Sequence, residues 1–376
     1  MAFYARISLN VFRFLQNFTN RRNSPNTNGT IVKNVKYPIL MKDNTINNRI
    51  ANNIKSRIST ETNVVKFISQ HLFLSENAVY KRIKGITPFT LQEAAILSNE
   101  LGISIDALVE VGENNFSFSS IAMGGTVLNP VSYLHNLAKD STKLDLETAH
   151  IKYASNEFPI LQYFGFPRLN YFKFYLWSWT NWNRGEINQN KICFERSMQK
   201  MQEFHYLAGE IYNLYLTIPS TEFICLNSLH NTIQQIKYFS QIGNFETQSE
   251  AWELCKEISI FIDHLEDMAK SGRKFIRGKE NDGPSSSFRL FNNEIIQSNN
   301  VCIISSDRYN KLFLTLDNPN TLEIDNSKSI QYVERWFDTM KKYAEPLGKE
   351  SEKTRLIFFS RLRKSIDHLK YFLESQ

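Results

Sequence analysis

Only four cysteines occur in 376 residues, and Cys193, Cys225, Cys255 and Cys302 form no CxxC pair and no ligand spacing with a histidine. That pattern excludes a disulfide framework and the common structural zinc motifs, leaving buried thiols in a reducing cytosol as the simplest reading. The seven histidines contain no HExxH. His264, set among Asp263, Glu266 and Asp267, reads as part of a solvated helix face. A phosphate-binding loop is also missing: Gly124-Gly125 is an isolated pair, and Ser285 to Ser287 lack the strand-turn-helix setting of a nucleophile elbow. Glu352 and Lys353 read as surface charge. The chain is therefore expected to be no enzyme and to need no cofactor. No window approaches eighteen uninterrupted apolar residues, so no membrane span is expected and the protein is placed in the cytoplasm.

Acid is absent from the first forty residues. They hold Arg6, Arg13, Arg21, Arg22, Lys33 and Lys36, which account for the whole formal charge of +6. Everything after residue 40 is neutral on balance, so the basic character belongs to the tail. Arg6 and Arg13 interrupt any apolar core that a secretory signal would need. Residues 1–40 read as a disordered basic tail or an over-extended start, with Met41 as the expected beginning of the folded part. With 42% hydrophobic residues the remainder is long enough for a sizeable core in two or three domains.

What is present is concentrated between Val65 and Leu108. Val65, Ile68, Ser69 and Leu72 make a one-sided stripe at helical spacing. Leu74 plugs a turn, Ser75 caps the next helix, and Val79 with Ile83 forms its inner face. Asn77, Tyr80, Lys81 and Lys84 are left on the outer face at i, i+3, i+4 and i+7. An amide bonds adenine edges, a lysine bonds guanine, and further cations meet phosphates, so this face suits a major groove. Gly85 ends the helix. Thr90 and Glu93 have capping-box spacing, and Leu91, Ala94, Ala95, Leu97 and Leu101 supply another buried face. Ile103, Ile105 and Leu108 begin a last helix capped near Ser104. Between Met41 and Val111 there are eight Lys and Arg against seven Asp and Glu. Such a balance implies modest non-specific affinity, so tight binding would need two copies acting together.

The run L-S-E-N-A-V-Y-K-R-I-K-G, followed by T-P-F-T-L-Q-E-A and L-G-I-S-I-D-A-L, resembles the Cro and lambda-repressor type of helix-turn-helix, or xenobiotic-response-element type. It is most similar to the BetR-like branch of Bacteroidota regulators. The resemblance implies a recognition helix over about Ser75 to Lys84, with base contacts from Asn77, Tyr80 and Lys81 and phosphate contacts from Lys84, Thr87 and the helix start at Asn63. One departure is plain. The turn position often held by glycine is Phe73, where a left-handed backbone costs about 1 kcal/mol or more, so a more open turn is expected.

Past Val111 the pattern changes. Residues 112–129 read as a linker, with an extended piece near Phe116 to Ile121. Pro130 to Lys139 suggests a helix and His150 to Ala154 a brief strand. Phe158 to Trp182 is densely aromatic and has two competing readings: a core helix after Pro167, or an aromatic pocket or base-stacking platform. Asn190 to Arg273 repeats apolar residues every three or four positions, implying two or three packed helices without a fixed repeat period. Lys279 to Ser287 reads as a mobile loop. Phe288 to Ile296, Val301 to Ser305 and Leu312 to Leu316 read as a three-stranded antiparallel meander, and helices are expected over about Lys328 to Tyr343 and Glu350 to Glu374. Looser likeness to the same regulators lies in F-P-R-L-N-Y-F-K-F-Y-L-W, N-N-E-I and S-E-K-T-R-L-I-F-F-S-R-L.

The expected fold is mainly α: a lambda-repressor-like helical domain over 41–111, and a larger helical C-terminal domain over 130–376 with a small antiparallel three-stranded β meander, α+β overall. The expected function is a DNA-binding transcriptional regulator, a homodimer on double-stranded DNA with an inverted-repeat operator. Two alternatives stay open: a non-catalytic protein-interaction adaptor, and a ligand-responsive sensor whose aromatic pocket takes a small-molecule effector.

Overall fold

The computed structural model describes residues 46–58, 64–101, 119–120, 129–142, 144–180, 182, 190–295, 300–307 and 309–376. The tail, Met41, nearly all of the linker and the helix expected from Ile103 lie outside them. The chain separates into two compact units, Met1–Ser69 with Leu74–Phe89, and Gln70–Phe73 with Thr90–Gln376.

The first unit is built from α1 (Ile46–Arg57), α2 (Val64–Leu72, whose end belongs to the second unit) and α3 (Glu76–Ile83). Their cores are small and aliphatic. Ile50, Ala51 and Ile54 of α1, Val65 and Ile68 of α2, and Val79 of α3 are buried. Asn47 locks α1 to the segment around α3: its Nδ2 donates to the Arg82 carbonyl at 2.7 Å, and its Oδ1 accepts from the Phe89 N–H at 2.8 Å. Two backbone groups left over at a helix end are thereby satisfied by one side chain.

The second unit begins with α4 (Leu91–Leu101), where the expected capping box is formed: the Thr90 N–H donates to Glu93 at 2.9 Å and the Glu93 N–H to the Thr90 hydroxyl at 3.2 Å. Leu91 does not join the buried face. It is 76% exposed, while Ala94, Leu97 and Ser98 are buried. Ala94 and Leu97 of the expected stripe are buried, whereas Leu91, the first residue of the helix, precedes the turn that packs.

The rest of the unit is a mixed sheet with helices. Its strands are β1 (Ser119–Ser120), β2 (His150–Ala154), β3 (Ser220–Ile224), β4 (Arg273–Lys274), β5 (Ser286–Asn292), β6 (Val301–Ser305), β7 (Asn310–Asp317), β8 (Asn320–Ile324) and β9 (Glu345–Pro346). They lie in the order β1-β8-β7-β6-β2-β3-β5-β4, with β9 paired to β5. The three-stranded antiparallel meander is therefore a correction. β6 and β7 do pair antiparallel, and β8 extends them, but β5 never meets β6. It runs parallel to β3, with Phe288 opposite Ser220, and β3 in turn runs parallel to β2, with Ser220 opposite Ile151. Parallel neighbours require long crossovers. After α5 (Pro130–Ser141), which precedes β2, the first crossover carries α6 (Ile160–Tyr163), α7 (Pro167–Thr180), α8 (Phe194–Lys200) and α9 (Gln202–Thr217), and the second carries a 3-10 turn, α10 (His230–Gln241) and α11 (Gln248–Ser271).

The alternation of strand side chains divides the core in two. Ala154, Phe223, Phe291, Ile303 and Leu312 face α12 (Ser327–Tyr343) through Ile330, Phe337 and Met340. Ile151, Ile224, Leu290 and Cys302 face the larger helical layer, where α11 packs along α13 (Glu352–Glu374). The aromatic run resolves largely as core: Phe158, Tyr163, Phe164, Phe166, Phe172, Phe174, Tyr175 and Trp177 are all buried, and Trp179 is exposed. Gly165 is dictated by closeness, since a Cβ there would stand 2.5 Å from the Tyr212 ring. Glu257 of α11 accepts from the Leu169 N–H at 2.7 Å, satisfying the first turn of α7.

Among the described residues no helix is long and apolar enough to cross a membrane.

Candidate functional site

The α2–turn–α3 element is shaped by a few local interactions. Phe73 sits at φ 52°, so the turn is the tight left-handed one and not the open form expected for a non-glycine residue. The distortion is held by the Leu74 N–H donating to the Ser69 carbonyl at 3.2 Å, and by the Ser69 hydroxyl donating to the Leu74 carbonyl. Ser75 caps α3 through an Ala78 N–H contact at 3.4 Å. At the other end Gly85 takes φ 72°, and the Ile86 and Thr87 N–H groups donate to the Lys81 carbonyl at 2.9 and 3.2 Å.

With Val79 buried, the opposite side of α3 presents Asn77, Tyr80, Lys81 and Lys84, all exposed. These four share one face over two turns of helix. Ser75 stands exposed at the start of that face, and Thr87 is half-buried just past its end. Asn63 lies outside the described residues. Arg82, also in this basic stretch, is turned back along the helix, donating to the Ala78 carbonyl at 3.2 Å. The residue missed from sequence is Asn47, whose placement on α1 was signalled by isoleucines at positions 46, 50, 54 and 58.

A second feature lies in the other unit. A cavity of about 210 Å³ opens between the β2, β6 and β7 strands and helices α5, α7 and α9. Its walls include Tyr133, Phe158, Tyr163, Trp177 and Phe313, with Ile151 and Ile304 from the sheet. Polar groups gather where β2 ends, at Glu157, Lys173, Asn300 and Asn318. Glu157 accepts from Asn231 Nδ2 and Asn318 Nδ2, each at 3.2 Å. Lys173, 3% exposed, donates to Gln235 Oε1 at 2.9 Å and stands 3.9 Å from the Glu157 carboxylate. Burial draws the Lys173 ammonium below the usual lysine range and raises the phenols of Tyr133, Tyr153 and Tyr163 and the Cys302 thiol.

Two further buried ionisable groups lie near the sheet. His264 does not line a solvated face: it is buried against Phe275 and Phe166, its Nε2 3.5 Å from the Tyr212 hydroxyl, and burial lowers its pKa to about 4. The acidic neighbours Asp263 and Glu266 point elsewhere, to Arg363 of α13. Lys274 is wholly buried, donating to the Tyr215 carbonyl at 2.5 Å and to the Ile218 carbonyl, its ammonium 3.7 Å from the centre of the Tyr215 ring. Burial lowers its pKa to about 7. Among the described residues no group of three or more His, Cys, Asp and Glu could hold a metal ion.

No protein-family model, curated protein or solved structure matches the chain.

Proposed function

We propose that this chain is a sequence-specific DNA-binding transcriptional regulator of the cytoplasm, with α3 entering the major groove. The observation that carries the reading is the exposed face of α3. Asn77, Tyr80 and Lys81 project together from a helix whose other side is buried, beside a tight turn. The amide and ammonium supply hydrogen bonds to base edges, and Lys84, Thr87 and the segment at Asn63 meet phosphates on either side. The resemblance of the 74–108 run to BetR-like regulators supports the same assignment. A homodimer reads an inverted repeat with half-sites about one helical turn apart. The larger unit supplies self-association or regulation.

Selection from a random double-stranded DNA pool with the full chain is expected to enrich an inverted repeat. Asn77→Ala or Lys81→Ala should then weaken operator binding by about 1 to 3 kcal/mol, with circular dichroism unchanged. Unchanged affinity in both variants would sink the assignment of this face. Recovery of a stoichiometric protein partner with no DNA enrichment would favour an adaptor.

A further inference from the structure

We propose that the cavity between the sheet and helices α5, α7 and α9 is a binding site for a small aromatic carboxylate, its ring among Tyr133, Phe158, Trp177 and Phe313 and its carboxylate on Lys173. The site stands apart from the DNA reading: all of its walls lie in the second unit.

Size comes first. A cavity of about 150 Å³ holds a benzene molecule, so about 210 Å³ accommodates one ring with a short acidic substituent. Aromatic walls favour an aromatic guest, because ring edges and faces can meet in offset or edge-on pairs. Tyr133 already stands edge-on to Phe174 and Trp177, so the wall it belongs to is braced from behind.

Charge comes second, and it decides the polar end of the guest. Each Glu157 oxygen already accepts from one carboxamide, and the Lys173 ammonium 3.9 Å away partly offsets the carboxylate's charge. Lys173 differs. An ammonium has three donors, and here one is used on Gln235 while the carboxylate at 3.9 Å is beyond good hydrogen-bonding distance. Asn300 likewise turns its amide toward Asn318 Oδ1 at a long 3.4 Å and accepts from Ser155 through its oxygen. The polar end of the cavity therefore holds ammonium hydrogens of Lys173 with no acceptor at good hydrogen-bonding distance among the described residues. It matches an anionic, acceptor-only group such as a carboxylate. Position agrees with this, for the polar cluster lies at the carboxyl-terminal ends of β2 and its parallel partners, where open α/β sheets bind ligands.

The test is calorimetric titration of the full chain with phenylacetate and with phenethylamine, which share the ring and differ in the sign of the end group. Phenylacetate is expected to bind and to raise the melting temperature, with phenethylamine at least tenfold weaker. Lys173→Met keeps the stem, removes the ammonium, and should erase that preference. Ile304→Trp fills the chamber and should abolish binding of both probes while the circular dichroism spectrum stays native. The wild-type comparison stands even if a variant fails to fold. Absence of phenylacetate binding at millimolar concentration, an equal or stronger response to phenethylamine, or undiminished phenylacetate binding by folded Ile304→Trp would each overturn the proposal.

Discussion

Phe73 shows what one residue concedes to a turn. A left-handed backbone costs a residue with a Cβ about 1 to 2 kcal/mol, and the ring recovers almost none of it because it is 94% exposed. Phe73→Gly should therefore stabilise the α2–α3 element by about 0.5 to 1 kcal/mol after the added freedom of the unfolded glycine is subtracted. Slower hydrogen exchange of the α2 and α3 amides would register the gain; faster exchange would mean that the ring contributes more than its exposure implies. His264 makes the opposite kind of concession, to burial. Its pKa falls from about 6.5 unfolded to about 4 folded, so the neutral ring is favoured in the native protein. Above 6.5 neither state is protonated and nothing is lost. As pH drops from 6.5 toward 4 the unfolded chain takes up a proton that the folded chain refuses, and stability falls by roughly 2 to 3 kcal/mol. Urea midpoints at pH 7 and pH 4.5 should differ less in His264→Phe than in the wild type; an identical difference would place the acid sensitivity elsewhere.

Elements differ in how they are written in the chain. The outer face of α3 was legible because its four residues fall within eight positions, and helical geometry alone collects them. The helices at 130–141, 167–180, 327–343 and 352–374 were legible for the same reason, through local periodicity. The sheet was not. β3, with sequence STEFI, is buried at every position and so lacks the alternation that marks a half-exposed strand, and it sits within a long helical pattern. The pairing of β5 with β3 spans the whole second crossover, and no local signal distinguishes it from a hairpin with β6. The cavity suffered equally, since its walls come from positions 133 to 321. Lys274 belongs to this hidden class. It satisfies the carbonyls of Tyr215 and Ile218 where α9 turns into β3, a junction that the sequence presents only as one cation in a basic run with Lys270, Arg273, Arg277 and Lys279. Lys274→Met keeps the aliphatic bulk but strips two buried acceptors of their donor, at a cost of about 2 to 3 kcal/mol. A drop in melting temperature with an intact cavity ligand response would fit that role, and a neutral effect would show that water replaces the ammonium.

At the scale of the whole molecule, charge is distributed against first appearances. The net +6 resides in six cations before residue 41, while the segment carrying α3 is nearly balanced. Under the proposed function these two contributions separate by experiment, because each phosphate neutralised steepens the dependence of log affinity on log salt by about 0.9. A dimer that places one or two lysines per half-site on phosphates should show an operator slope of about −2 to −4 from the α3 element alone. Replacing Arg6, Arg13, Arg21, Arg22, Lys33 and Lys36 by Gln in the full chain removes the charge without shortening the protein. Affinity for random DNA should then fall and its salt slope flatten, while the preference for operator over random DNA rises, since base contacts from Asn77, Tyr80 and Lys81 are untouched. Electrophoretic mobility shifts at several salt concentrations measure all three quantities. Loss of operator preference along with the cations would transfer specificity from α3 to the basic segment, and with it the central assignment made for the exposed helix face.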